Sequence, residues 1–248
     1  MKSWEYYNKI AKEYDEMYED SYWQMHNAVS EKIIFNNIDI SNGKLLDIGA
    51  GTGFWSKIFL DNGFDVYALE PAENMVNMLK ERFKKTNLKV FKGIGENLPF
   101  ENSSFDIIIA MGDVLSYSED INLFISEVYR VLKKDGIFIG TVDNLNKFIL
   151  DAFFSKEFGI IKSMEKFKTA KVGVSNIMSF KSNLFTYDSL YNLLHKKFKK
   201  VDIFSIMPFT WEFNEDFSKY WADVLELELH FSKSFYDTAE HLLYMVVK

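Results

Sequence analysis

The segment that constrains this chain most is Lys44-Leu45-Leu46-Asp47-Ile48-Gly49-Ala50-Gly51-Thr52-Gly53-Phe54-Trp55. An apolar run stops at an acidic residue and passes through glycines at alternate positions into an amphipathic stretch. That pattern is a strand, a tight turn and a helix start, with the turn stripped of side chains so that a ligand can touch backbone. A dinucleotide fingerprint requires G-x-G-x-x-G, its last glycine letting helix and strand pack. Here Phe54 occupies that last position and the third glycine comes one residue early. Asp47 precedes the first glycine by two residues, where its carboxylate would repel a pyrophosphate. An anionic residue facing the turn suits a ligand with a positive amino group or sulfonium.

Composition narrows the classes. With 248 residues, 48% of them hydrophobic, the chain has the material for one sizeable core, and one domain with insertions is expected rather than two. No apolar run approaches a membrane span, and the start, Met1-Lys2-Ser3-Trp4-Glu5, lacks the apolar core of a signal peptide. Cysteine is absent, which excludes disulfides, thiolate metal sites and cysteine nucleophiles and makes a cytoplasmic location the expectation. The net charge is −7, the arginines are Arg82 and Arg130, and the lysines are scattered. A nucleic-acid binder usually carries a basic stripe, so DNA and RNA are disfavoured as partners. The pairs Lys196-Lys197 and Lys199-Lys200 read as a solvated helix end. A small-molecule substrate, no membrane span and a monomer or homodimer are expected.

Strand and helix patterns alternate along the chain. Tyr7, Ile10, Ala11, Tyr14, Met17 and Tyr18 recur at helical spacing, predicting one amphipathic helix over Trp4–Tyr18, and a second runs from about Tyr22 to Asn36. Strands are predicted at Lys44–Ile48, Asp65–Leu69, Leu88–Lys92, Phe105–Ala110 and Ile137–Val142. Helices intervene at Phe54–Asn62, around Met75, Leu79 and Phe83, and at Asp120–Lys133, the last ending at Gly136. Repeated β-α units imply an α/β fold with a doubly wound, Rossmann-like, mostly parallel sheet. Thr186–Lys196 reads as a helix, and Val201–Ile206 and Leu242–Val247 as strands. Two inserts remain, residues 144–185 and 207–241.

The glycine segment resembles motif I of the class I S-adenosylmethionine-dependent methyltransferases. The resemblance covers Leu45 to Val142 well, and it implies the family's antiparallel last strand. It also implies that the turn at Gly49, Ala50 and Gly51 brings backbone N–H groups up to S-adenosyl-L-methionine, with Asp47 organising its methionine end. Glu70, about twenty residues on, matches the carboxylate that accepts both ribose hydroxyls, and Pro71 and Met75 continue the family pattern. Met75 lies against adenine or serves as a core methionine. Gly93-Ile94-Gly95-Glu96 resembles the family's loop after the third strand, with Ile94 in its usual acidic position. Adenine recognition then falls to backbone around Gly95 and Glu96, or Glu96 binds loop amides. Met111 and Gly112 follow the fourth strand and are placed beside the cofactor. Asp113 is a candidate general base, or it caps its loop. Tyr6–Asp15 is similar to the A-x-x-Y-D opening of quinone-biosynthesis-type methyltransferases, in which the opening helices cover the cofactor. Residues 1–37 are therefore a candidate lid, with Tyr7, Tyr14 and Trp23 as lid contacts or core aromatics.

The sequence lacks a phosphate loop, H-E-x-x-H and G-x-S-x-G. His26, His195, His230 and His241 lie far apart and read as surface or capping residues, so neither a metal nor a histidine-centred triad is expected. The inserts hold Phe148, Phe153, Phe154 and Phe158, and Phe209, Trp211, Phe213, Phe217, Tyr220 and Trp221. These aromatics cap a planar or lipophilic acceptor, or they pack the inserts and a dimer face. The expected reaction is in-line attack of a small molecule on the sulfonium methyl. A non-catalytic binder of the same cofactor and a nicotinamide-dependent oxidoreductase are the alternatives.

Overall fold

The computed structural model describes residues 1–174, 178–209 and 217–248, the side chains of 217 and 218 apart. Its elements in chain order begin with α1 (Ser3–Ile10), α2 (Ser21–Asn37), β1 (Lys44–Ile48), α3 (Phe54–Asp61), β2 (Asp65–Glu70), α4 (Glu73–Arg82) and β3 (Lys89–Lys92). They continue with β4 (Phe105–Ala110), α5 (Ile121–Val131), β5 (Leu132–Asp143), α6 (Leu145–Phe154), α7 (Phe158–Phe167), β6 (Thr169–Val172) and β7 (Phe180–Asn183). The chain ends with α8 (Tyr187–His195), β8 (Lys200–Ile206), α9 (Trp221–His230) and β9 (His241–Val247).

Among the described residues the main sheet has seven strands in the order β3-β2-β1-β4-β5-β9-β8. The first five are parallel, and β9 runs antiparallel between β5 and β8. Both faces are covered, which is why the central strands are continuous apolar runs rather than alternating ones. Leu46, Ile108, Phe138 and Tyr244 pack with Phe124 and Val128 of α5 and Leu190 and Leu194 of α8. Leu45, Ile107, Ile139 and Leu243 face the other way, onto Met25 and Val29 of α2 and Phe59 of α3. The strand order reverses between β1 and β4, and open α/β sheets bind ligands at that crevice, beyond the carboxyl ends of their strands.

The elements depart from expectation at both ends of this core. The expected helix over Trp4–Tyr18 stops at Ile10; residues 11–15 turn, and Glu16–Tyr18 form a 3-10 turn. The break lets Asp15 reach the glycine turn, where its Oδ1 accepts from the Thr52 hydroxyl (2.5 Å) and its carboxylate pairs with Arg82. Likewise α5 ends at Val131, and Gly136 lies inside β5 rather than after a helix. Leu132 is buried and pairs with Phe105, the chain bulges, and pairing resumes at Ile137 opposite Ile107.

The inserts hold less of the cavity than their aromatic content implies. Phe153, Phe154 and Phe158 on α6 and α7 are more than half exposed, and β6 and β7 form a small antiparallel ribbon. Phe209 packs on Phe231 and Phe235, and Trp221 packs beneath the sheet. Trp211 and Phe213, and the side chain of Phe217, lie outside the described residues.

Candidate active site

A cavity of about 910 Å³ opens at the carboxyl edge of β1, β2, β4 and β5. Tyr7, Tyr14, Trp23, Asp47, Gly49, Ala50, Gly51, Glu70, Pro71, Met75, Gly95, Glu96, Met111 and Asp113 all line it. At one end is the turn between β1 and α3, with Gly49, Gly51 and Gly53 at φ of +72°, +56° and +95°. The glycines do not all serve the same purpose. A Cβ on Gly49 would lie 2.5 Å from Val114, and one on Gly53 2.4 Å from the Phe83 ring, so both positions are closed by packing. At Gly51 a Cβ would meet only the Tyr14 ring, at 3.7 Å, so this glycine faces the cavity.

The turn's donors are not left for a ligand as expected. Gly49 and Ala50 N–H donate to the Leu69 carbonyl (2.8 and 3.2 Å), Gly51 N–H to Glu70 Oε2 (2.9 Å) and Gly53 N–H to the Ala50 carbonyl (2.9 Å). The end of β2 satisfies the first three and the turn itself the fourth, because a buried amide without a partner is costly. What the turn supplies is close approach to backbone. Glu70 Oε1 also accepts from Ala72 N–H (2.8 Å), so one carboxylate ties the turn to α4. Burial raises the Glu70 carboxyl to about 7 against the pull of these two amides. Burial likewise lifts Asp47 to about 7, offset in part by the Ser56 hydroxyl that donates to its Oδ2 (2.6 Å).

Aromatic residues of the N-terminal segment close this end. Tyr14 stacks at a tilt on Tyr18 (5.0 Å between centroids), and Tyr18 meets Trp23 edge-on (5.0 Å). Met75 is buried with Ala11 and Ala72 and also lines the cavity, so it serves core and site together. Glu96 Oε1 accepts from Glu119 N–H (2.8 Å), which is the loop-amide role. Asn8 holds α1 to α4, accepting from Asn74 N–H at 2.8 Å and from its side-chain amide at 2.7 Å.

The other end corrects the reading of the histidines. His26 on α2 and His241 at the start of β9 are both buried, and His26 Nε2 and His241 Nδ1 share a hydrogen bond of 3.0 Å. His241 Nε2 lies 3.1 Å from Asp113 Oδ2 and 3.8 Å from Asp143 Oδ1. His195 and His230 are exposed helix-end residues, as expected. Asp113 follows Gly112 in the left-handed region (φ +63° and +73°), and the Thr141 hydroxyl accepts from both their N–H groups (3.0 and 3.1 Å). This bend turns the carboxylate toward His241. Burial alone would raise the Asp113 carboxyl, but the His241 charge and hydrogen bond hold it below its usual range. Burial disfavours the His241 cation too, yet Asp113, then Glu240 and Asp143, carry it up to about 9. Burial, followed by the neighbouring His241, drives His26 down to about 4, so the pair carries its proton on His241. The sequence holds one faint sign of this arrangement. A polar residue opening an antiparallel strand lies at the same sheet edge as one closing its parallel neighbour, and Asp143 and His241 are paired across β5 and β9.

A methyltransferase-domain family model matches residues 46–140. A protein of Methanocaldococcus jannaschii is 39% identical over 167 residues, 65% of this chain and 61% of the relative, so the chain spans about three fifths of that protein's length. A ubiquinone biosynthesis O-methyltransferase of Pelagibacter ubique is 29% identical over 191 residues, 75% of this chain and 76% of the relative. The fold matches that of an S-adenosylmethionine-dependent methyltransferase from Thermotoga maritima, with a TM-score of 0.64 and 19% identity over 99% of both chains. With a methyltransferase domain over residues 46–140, this sheet order and these relatives, the chain has the fold of the class I methyltransferases, whose methyl donor is S-adenosylmethionine, and is similar to the ubiquinone and menaquinone enzymes among them.

Proposed function

We propose that this protein transfers the methyl group of S-adenosylmethionine to a small molecule with a planar, largely apolar body. One observation carries the reading: a continuous cavity joins the glycine turn and Glu70 to the buried Asp113–His241 pair. The cofactor would occupy the first end, with its ribose at Glu70, its methionine moiety near Asp47, and Tyr14 over Gly51. The acceptor would occupy the second, between Trp23, Tyr117 and Phe148, which supply flat apolar walls. The relative named for ubiquinone biosynthesis is compatible with a ring-bearing acceptor.

The sulfonium is a good leaving group, so the protein's task is alignment and exclusion of water, which contributes several kcal/mol to lowering the barrier. As the acceptor's oxygen or nitrogen forms its bond to the methyl carbon, the carbon–sulfur bond breaks and the acceptor's proton becomes acidic. Asp113 would take that proton; the reading is supported by the cationic His241 3.1 Å away, which favours an ionised carboxylate. The test is a panel of hydroxylated aromatics and amines incubated with protein and isotopically labelled S-adenosylmethionine. Acceptor-dependent formation of S-adenosylhomocysteine and a labelled product is expected. Tight cofactor binding with no acceptor-dependent turnover would make the chain a non-catalytic binder.

A further inference from the structure

We propose that Asp113, Asp143 and His241 form a binding site for one divalent metal ion at the acceptor end of the cavity. The proposal rests on the reading of that end as the place where the acceptor binds. Three observations support it. One ligand atom from each residue lies within 4.8 Å of the other two, and His241 Nε2 faces both carboxylates at 3.1 and 3.8 Å. Ligands sharing one ion at about 2.1 Å sit roughly 3 to 3.5 Å apart, so a small inward shift of Asp143 closes the set. The three residues come from the loop after β4, the end of β5 and the start of β9, so the tertiary fold, and no local motif, brings them together.

The partners that usually orient metal ligands are also in place. His241 bonds through its far nitrogen to His26. Asp143 accepts from the Ser182 hydroxyl through Oδ2, leaving Oδ1 toward His241, and its own N–H donates to Ser116 Oγ (2.9 Å). The Asp113 N–H is held by Thr141 (3.0 Å). Finally, Asp113 Oδ1 is buried without a hydrogen-bond partner among the described residues, in a side chain only 9% exposed that lines the cavity. The contact with His241 is made through Oδ2 and leaves Oδ1 for a further partner. One imidazole with two carboxylates suits manganese, iron(II) or zinc better than calcium. Such an ion would take the place of the proton on His241 Nε2, bind an oxygen of the acceptor and help it release its proton to solvent.

The test uses the full chain, stripped with chelator and titrated with Mn²⁺ by electron paramagnetic resonance, while S-adenosylhomocysteine binding is measured calorimetrically on the same protein. One ion per chain with micromolar affinity is expected. Asp143→Asn and His241→Gln should each weaken it by about tenfold or more while retaining S-adenosylhomocysteine binding, which also reports that they fold. In the wild-type protein, Mn²⁺ should broaden the ¹³C-methyl resonance of bound S-adenosylmethionine, and diamagnetic Zn²⁺ should not. No saturable Mn²⁺ binding below about 1 mM, or an ion that leaves the methyl resonance sharp, overturns the site. So does binding that both folded variants leave unchanged. Loss of cofactor binding in the wild-type protein would instead overturn the functional reading, and the Mn²⁺ titration would still decide the ion site.

Discussion

Glu70 ties the glycine turn to α4 with one carboxylate, and its substitution tests the ribose role proposed for it. Its oxygens accept from Gly51 and Ala72 N–H groups, and the ribose contacts proposed for it use the remaining lone pairs. Hydrogen bonds to a charged group are worth roughly 1.5–3 kcal/mol, so Glu70→Ala should weaken S-adenosylhomocysteine binding by about one to two powers of ten. Glu70→Gln, which keeps an acceptor, should fall between. Unchanged calorimetric affinity in Glu70→Ala would place the ribose elsewhere. At Gly51 a Cβ would meet only the Tyr14 ring, so Gly51→Ala should stay folded while its methyl, standing in the cavity, weakens binding by about tenfold; the left-handed backbone separately costs roughly 1–2 kcal/mol of stability. Gly49→Ala and Gly53→Ala should lower stability, visible as an earlier thermal transition, since each Cβ collides with a packed side chain. Asp47 yields a pH prediction. Its folded-state pKa is raised from 3.8 to about 7, so its contribution to stability is full below about pH 4 and is lost as pH rises through 7. Ser56 and Glu70 face it, and Glu70 shifts the same way. The ligand-free protein should lose more stability between pH 5 and 8 than Asp47→Asn does. Parallel urea midpoints for the two proteins across that range would refute this.

The N-terminal segment is the element on which access to the cavity depends. It is latched by Asp15 to Thr52 and Arg82 and by Asn8 to Asn74, all at the surface or half-buried. Few buried residues back these bonds: only Tyr6 in α1 and Ala11 in the following turn are fully covered. An element held this way opens locally at low cost, whereas β1 and β4 are buried on both faces. Hydrogen exchange over residues 4–23 should therefore slow when S-adenosylhomocysteine is added, with residues 45–48 and 107–110 unchanged. Arg82→Gln should speed exchange over residues 4–18 in the ligand-free protein. Equal protection with and without ligand would make this segment a fixed wall, and Tyr7, Tyr14 and Trp23 would then be core aromatics only.

At the scale of the whole molecule, the sheet centre tolerates nothing larger than glycine at one point. A Cβ on Gly140 would lie 2.3 Å from the Tyr244 hydroxyl and 2.6 Å from the Ala110 carbonyl oxygen, so β5 could not keep its place between β4 and β9. Overpacking of this kind costs about 1–3 kcal/mol, and Gly140→Ala should lower the denaturant midpoint accordingly. Tyr244→Phe should be neutral or mildly stabilising, because it removes a buried hydroxyl with no partner among the described residues. A clear loss of stability in Tyr244→Phe would mean that the hydroxyl is satisfied, for instance by water.

The order of strands and helices from β1 to β5 was legible in the sequence because each signal is local. Apolar runs mark buried strands, and the glycine turn and the residue closing β2 carry their meaning in their spacing. Asp47, Glu70 and Met111 could be placed at the cavity for the same reason, since they end or follow parallel strands. The spacing misled where a distant partner overrode local preference. The helical pattern continues past Ile10, yet Asp15 is drawn to Thr52 and Arg82. Leu132 follows a helix without a break in pattern, yet it pairs with Phe105. Only the tertiary structure decided the end of the cavity that holds Asp113 and His241. His26 and His241 are separated by 215 positions, and no periodicity relates them to Asp113 or Asp143. They meet because β9 enters the sheet antiparallel beside β5, which carries the start of one strand to the end of the other, beneath α2.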